Sequence, residues 1–151
     1  MGIFFTKKLC YHLIILSCFA CFCITPSNSL KCFGTFKWVI TINDGIPNST
    51  IDFHVKSRDD DLGSHSITYD NNYAFEFCEN FVQNTVFWAD FYYGKKFVHF
   101  NVFDSKVVKV VGGSIFKENP VFWLLKDDGY YLSKKALSYN DSAWIHRGKW
   151  S

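Results

Sequence analysis

Glycine and proline are sparse in this 151-residue chain, at 9 and 3. With charged and aromatic residues each at 20%, that scarcity excludes a collagen-like, low-complexity or disordered chain. An excess of one charge is also missing. The formal net charge is +2, and Lys7 and Lys8 account for it, leaving 14 basic against 14 acidic side chains in residues 30–151. A balanced body lacks the basic surface that neutralises phosphates, so no nucleic-acid partner is expected. Past residue 30 the two cysteines, Cys32 and Cys78, lie in no CxxC pair and in no Cys/His cluster with zinc spacing, which argues against a metal role and leaves no cofactor implied. Nor is there a GxSxG to mark nucleophilic catalysis. Past residue 30 no ten-residue stretch carries a helical stripe, and no apolar run is long enough to span a bilayer.

What is present begins with an address. Lys7 and Lys8 precede Leu9–Ile24, a mostly apolar run too short for a comfortable span. Pro26 breaks the run, and Ser27-Asn28-Ser29 supplies small residues for a cut after Ser29. Residues 1–29 therefore read as a cleaved secretory signal, the alternative being a retained anchor. The mature chain, residues 30–151, is expected to be one domain, soluble, extracellular and monomeric, without membrane insertion. Four of the six cysteines leave with the signal, so Cys32 and Cys78 remain. In an oxidising compartment two such thiols usually pair, although separate or intermolecular thiols stay open. Two N-glycosylation acceptors follow from secretion, Asn48 in Asn-Ser-Thr and Asn140 in Asn-Asp-Ser.

The mature chain alternates at period two. Phe36, Trp38, Ile40 and Ile42 share one side of the first run; Ile51, Phe53 and Val55 share one side of the next. Similar strand-length segments are Tyr73–Phe77, Val86–Tyr92, Phe97–Phe103, Lys106–Val111 and Val121–Lys126. Turn residues separate them, most clearly Asp127-Asp128-Gly129 in a hairpin between Trp123–Lys126 and Tyr130–Ser133. About eight short strands in one domain predict an all-β fold, a small antiparallel β-sandwich.

One segment is more specific. His54-Val55-Lys56-Ser57-Arg58-Asp59-Asp60-Asp61-Leu62-Gly63 resembles the hallmark of the plant self-incompatibility S-protein homologues, which reads roughly H-C-K-S-x-D-D-D-L-G. Val39–Asn43 resembles that family's first strand and Tyr73–Phe77 its aromatic strand. Asn84–Phe91 resembles its T-L-F-x-C-x-F strand, and Phe122-Trp123-Leu124 with Asp127–Tyr131 its C-x-W…D-G-x-Y hairpin. The resemblance spans about residues 38–131; Trp144–Trp150 match poorly. It implies a secreted plant protein with a β-sandwich and without a catalytic site. The founding activity is that of a pistil-side ligand recognised by a receptor on pollen. Two family cysteines, expected to pair, are replaced here by Val55 and Ala89. The later family cysteines are absent, and Cys32 and Cys78 lie outside family positions.

Three adjacent carboxylates, Asp59, Asp60 and Asp61, repel one another and favour a solvated loop. Lys56, Arg58, Asp59, Asp60 and Asp61 are the candidate binding loop. The bland alternative is a structural loop whose Asp side chains accept backbone N–H bonds. Calcium would need more oxygens than Asp59 and Asp61 supply. His54, His65, His99 and His146 show no spacing that brings two together. Trp88, Tyr92 and Tyr93 suit either sugar stacking or cross-strand packing. The expected function is a secreted ligand of a cell-surface receptor protein, read through loops Ile46–Ser49, Lys56–His65 and Asn80–Asn84. The alternative is a carbohydrate- or wall-binding module.

Overall fold

Alternation in sequence becomes alternation in burial: Trp38, Ile40 and Ile42 are sealed from solvent, while Lys37, Val39 and Thr41 between them stay half-buried. The computed structural model describes residues 30–151; the secretory signal read over residues 1–29 lies outside them. The elements are β1 (Lys37–Asp44), β2 (Thr50–Ser57), β3 (Asp61–Thr68), β4 (Asn72–Cys78), β5 (Phe87–Tyr93), β6 (Lys96–Phe103), α1 (Ser105–Val111), β7 (Asn119–Lys126), β8 (Gly129–Ser133) and β9 (Ile145–Gly148). A five-stranded sheet, β4-β1-β7-β8-β9, faces a four-stranded sheet, β3-β2-β5-β6. The expected all-β sandwich is therefore what forms. One pairing departs from the antiparallel rule: β1 and β7 run parallel, Ile40 opposite Val121.

Aromatic rings fill the space between the sheets. Phe53 stacks on Phe91, Phe91 on Phe100 and Phe100 on Tyr130, the last pair at 4.0 Å between centroids. Two buried indoles reach polar partners, which removes the cost of sealing an N–H in an apolar core. Trp38 Nε1 donates to Glu79 Oε2 at 2.9 Å, and Trp123 Nε1 to the Val102 carbonyl at 2.9 Å.

Three expectations need correction. Lys106–Val111 is helix, not strand: Asp104 accepts from the Lys106 and Val107 amides, both at 2.9 Å, and caps the turn. Val107 is buried there, with Val108, Val110 and Val111 packed against the core. A six-residue valine-rich run looks the same to periodicity in either state. Next, the expected loop Lys56–His65 is mostly strand, with only Arg58–Asp60 between β2 and β3. Finally, β9 forms where sequence showed no strand, and it comes so close that a Cβ on Gly129 would lie 2.1 Å from the Gly148 carbonyl oxygen.

The sandwich has two ends. At the first, the starts of β1, β5 and β7 meet the finishes of β2, β4 and β6, as the Trp38–Phe103 and Phe77–Phe87 contacts show. The opposite end carries the turns Gly45–Ser49, Tyr69–Asn71 and Asp127–Asp128.

Candidate recognition surface

The HVKSRDDDLG segment builds the first end, and most of its side chains have structural work. Ser57 Oγ accepts from the amides of Asp59 (3.2 Å) and Asp60 (2.9 Å), while the Ser57 amide donates to the Asp60 carbonyl at 2.7 Å. Asp61 Oδ1 accepts from the Gly63 amide at 2.8 Å and meets His54 Nε2 at 2.5 Å. These two contacts, the histidine first, hold the Asp61 carboxyl below its ordinary range. Val55 pairs with Gly63 and Lys56 with Asp61, so Leu62 is an extra residue bulged out of the ladder. Gly63 accommodates the bulge at φ 86°, a left-handed conformation that suits glycine.

The side chains left over are the tip. Arg58, Asp59 and Asp60 are exposed, and Arg58 Nε pairs with Asp59 Oδ1 at 3.1 Å. The three carboxylates diverge: Asp59 turns to Arg58, Asp60 to Ser57 and Asp61 to His54. Among the described residues no group of three His, Cys, Asp or Glu side chains gathers as a metal site. Lys56 stands within β2, its strand position opposite Trp88 on one side and Asp61 on the other. Of the five candidate loop residues, Arg58, Asp59 and Asp60 therefore form the turn, while Lys56 and Asp61 belong to the strands that hold it.

This turn borders an open cleft of about 340 Å³, whose other wall is Asn80, Asn84, Thr85 and Val86. That wall is stiffened from within: Asn80 Nδ2 donates to Asn84 Oδ1 at 2.5 Å, and the Asn84 amide to Asn80 Oδ1 at 3.1 Å. At its base Cys32 and Cys78 form a disulfide, with Cα atoms 5.5 Å apart across a separation of 46 residues. The bridge ties the N-terminal segment to the end of β4.

Val55 and Ala89 are direct partners across β2 and β5, both fully buried. A family model for the plant self-incompatibility protein S1 matches residues 39–150. The chain belongs to this family. It is 29% identical over 104 residues to S-protein homolog 1 of Arabidopsis thaliana, covering 66% of this chain and 65% of that protein. It is 31% identical over 102 residues to S-protein homolog 5 of the same plant, covering 67% and 75%. A solved structure of the SPH (self-incompatibility protein homologue) proteins superposes with a TM-score of 0.56 at 14% identity, over 78% of this chain and 96% of that one. Those proteins are described as a widespread family of small, highly stable, secreted proteins from plants. Within the S1 family frame, the Val55–Ala89 pairing sits where the resemblance implies a cystine, and the apolar pair fills that interior instead.

The remaining candidates of this S1-family chain fall elsewhere. Asn48 is exposed at φ 57° in the turn after β1. Asn140 is exposed and follows Tyr139, whose ring packs edge-on to Tyr69 at 6.4 Å. Both acceptors thus lie toward the end opposite the SRDDD turn. The expected loop Ile46–Ser49 lies there too and is largely closed: Ile46 and Ser49 are buried, and buried Asp44 accepts from the Ile46 amide (2.8 Å) and Ser49 Oγ (2.7 Å). Two of the three expected recognition loops converge on one cleft, and the third does not.

The histidines show a relation that spacing hides. His54, Asp90 and His99 occupy one cross-strand row on the outer face of the four-stranded sheet, with His99 Nδ1 2.7 Å from Asp90 Oδ1. Only strand register brings them together, and register is invisible in linear spacing.

Proposed function

We propose that the chain is a secreted recognition protein, a non-catalytic ligand of a cell-surface receptor protein, acting through the Arg58–Asp60 turn and the Asn80–Asn84 wall. The observation that carries this reading is the divided labour of the motif. Ser57, Asp61, His54 and Gly63 are spent on geometry, so Arg58, Asp59 and Asp60 are held in place with their side chains exposed, Arg58 and Asp59 paired only with each other. Pre-ordering a charged turn beside a cleft lowers the entropic cost of binding a complementary partner. Asn48 and Asn140 carry glycans at the far end, where sugar leaves the turn unobstructed. Processing after Ser29 turns the Leu30 nitrogen, 2.9 Å from Glu76 Oε1, into an α-ammonium paired with that carboxylate. Membership of the S1 family and the secreted character of the SPH proteins support the extracellular setting.

The test is titration of labelled mature protein onto wall-stripped plant cells, pollen included, with unlabelled protein as competitor. Saturable, competable binding that disappears after protease treatment of the cells is expected. Binding indifferent to that treatment refutes a receptor protein.

A second reading has its own observation. Tyr92 is 49% exposed, stands beside Phe97 at 5.1 Å between centroids, and shares a strand face with Trp88 and Asp90. Aromatic rings flanked by hydrogen-bonding side chains on a flat sheet suit a polysaccharide. Retention by intact walls alone, lost on digesting the polysaccharide, selects this reading.

A further inference from the structure

Burial removes most large apolar side chains from water here, yet five are more than half exposed: Phe33 (86%), Phe81 (81%), Val82 (77%), Ile115 (52%) and Phe116 (92%). All five sit on three loops at the SRDDD end. The loops belong to three adjacent strands, in the order β4-β1-β7. In chain order, the first precedes β1, the second follows β4, and the third precedes β7. Scattered exposed apolar residues need no explanation, but a set collected on neighbouring loops does.

None of the three loops is left loose. The Cys32–Cys78 bridge anchors the first to the second, and Gly34 packs near the Phe81 ring. The Asn80–Asn84 contacts brace the second. The third is gathered by one buried side chain: Asn119 Nδ2 donates to the carbonyls of Lys37 and Ser114 at 2.9 Å, and Asn119 Oδ1 accepts the Ser114 amide at 2.6 Å. Polar groups are satisfied inward while phenyl rings are held outward, an arrangement that folding alone does not require.

The charge around the tips identifies the partner. The acids on these loops are already engaged: Glu79 under the Trp38 indole and Glu118 with Lys37 at 2.7 Å. Lys31 and Lys117 flank the exposed rings, and Lys134 and Lys135 border the third loop. None of these four lysines has a carboxylate partner among the described residues. Apolar tips ringed by free ammonium groups match the interface of an anionic phospholipid bilayer, where rings enter the acyl boundary and lysines meet headgroups. The acidic Arg58–Asp60 turn stands on the other sheet, so the contact tilts toward the five-stranded sheet and leaves that turn in water.

We propose that this end docks peripherally on an anionic phospholipid surface through Phe33, Phe81, Val82, Ile115 and Phe116, with Lys117, Lys134 and Lys135 facing the headgroups. The contact shares Phe81 and Val82 with the Asn80–Asn84 wall of the receptor reading, but its test does not depend on that reading, because pure lipid vesicles contain no receptor. It needs no spanning segment, and no helix among the described residues is long and apolar enough to cross a membrane.

The experiment is co-sedimentation of the oxidised mature protein with vesicles of phosphatidylcholine and phosphatidylserine in equal parts. Partition onto these vesicles, and far less onto phosphatidylcholine alone, is expected. Phe81→Ser with Phe116→Ser removes two exposed rings and lowers partition at least ~tenfold, with the thermal midpoint unchanged. Lys134→Glu with Lys135→Glu weakens binding to the anionic vesicles by about tenfold or more, and added salt does likewise. Absence of partition overturns the proposal, as does partition that the double phenylalanine variant retains. Self-association of the wild type, lost in that variant, without partition onto lipid reassigns the patch to a second copy and also overturns it.

Discussion

The two ends of the sandwich are closed by different chemistry. At the SRDDD end a disulfide, a serine-capped turn and two asparagine-centred networks hold loops whose tips remain exposed. At the opposite end a buried carboxylate, Asp44, draws the chain inward: its side chain takes the Ile46 amide and Ser49 hydroxyl, and its backbone pairs with Asp70 and Asn71. One end is rigid and outward-facing, the other rigid and closed. A loop that must hold its shape while presenting its side chains has to be braced through its backbone, and the first end is braced that way. The second uses the polar atoms of Asp44 to seal itself, while Asn48, Tyr69 and the Asp127-Asp128 turn stay outward.

Breaking each brace separately sharpens this contrast. Cys32→Ser with Cys78→Ser opens a 46-residue closure and is expected to cost about 4 kcal/mol by chain entropy, read by urea unfolding. Amide exchange should quicken in residues 30–36 and 79–86 while residues 45–49 stay protected; uniform quickening would erase the distinction. Asp44→Ala should do the reverse, costing about 3 kcal/mol through orphaned buried donors and loosening the Ile46 and Ser49 amides. Restoring the family pair is a milder test. Val55→Cys with Ala89→Cys should oxidise spontaneously and add about 2 kcal/mol, and alkylation before reduction should find no free thiol.

The smallest effects are in pH, and their signs differ between the ends. Burial first, then the Asp70 carboxylate, raises the Tyr139 hydroxyl from 10.0 to about 12. A raised pKa favours the folded state below the unfolded value, so that contribution is complete below pH 10 and lost as pH climbs toward 12. Tyr139→Phe should flatten the alkaline decline of the melting temperature. Asp61 has a lowered pKa from its His54 and Gly63 contacts. Its contribution is present above the ordinary unfolded value of 3.8 and fades as pH falls through the folded value. Asp61→Asn should remove a small part of the acid decline, the side chain being exposed.

The architecture was legible in sequence where alternation and turn chemistry agreed, as in β1, β2, β4–β7 and the Asp127-Asp128 hairpin. α1 is hard to read from sequence because a short valine run carries no period, and only the Asp104 cap marks it as helix. β3 was hidden by its composition: Asp61–Thr68 is polar, with Ile67 its one buried apolar residue. The motif was visible as a string, but its division into braces and free tips depends on which carboxylate meets which amide. The apolar tips were less legible still. Phe33, Phe81 and Phe116 are far apart in the chain, and only the β4-β1-β7 strand order makes them neighbours.

The central claim is that recognition belongs to the SRDDD end. Its most direct test compares two variants for competable binding to wall-stripped cells. One is Arg58→Ala with Asp59→Ala and Asp60→Ala; the other is Asn48→Gln with Asn140→Gln. The account predicts at least ~tenfold weaker binding, about 1.4 kcal/mol, for the first at unchanged melting temperature, and undiminished binding for the second. Undiminished binding by the turn variant, with loss in the sequon variant, would contradict it.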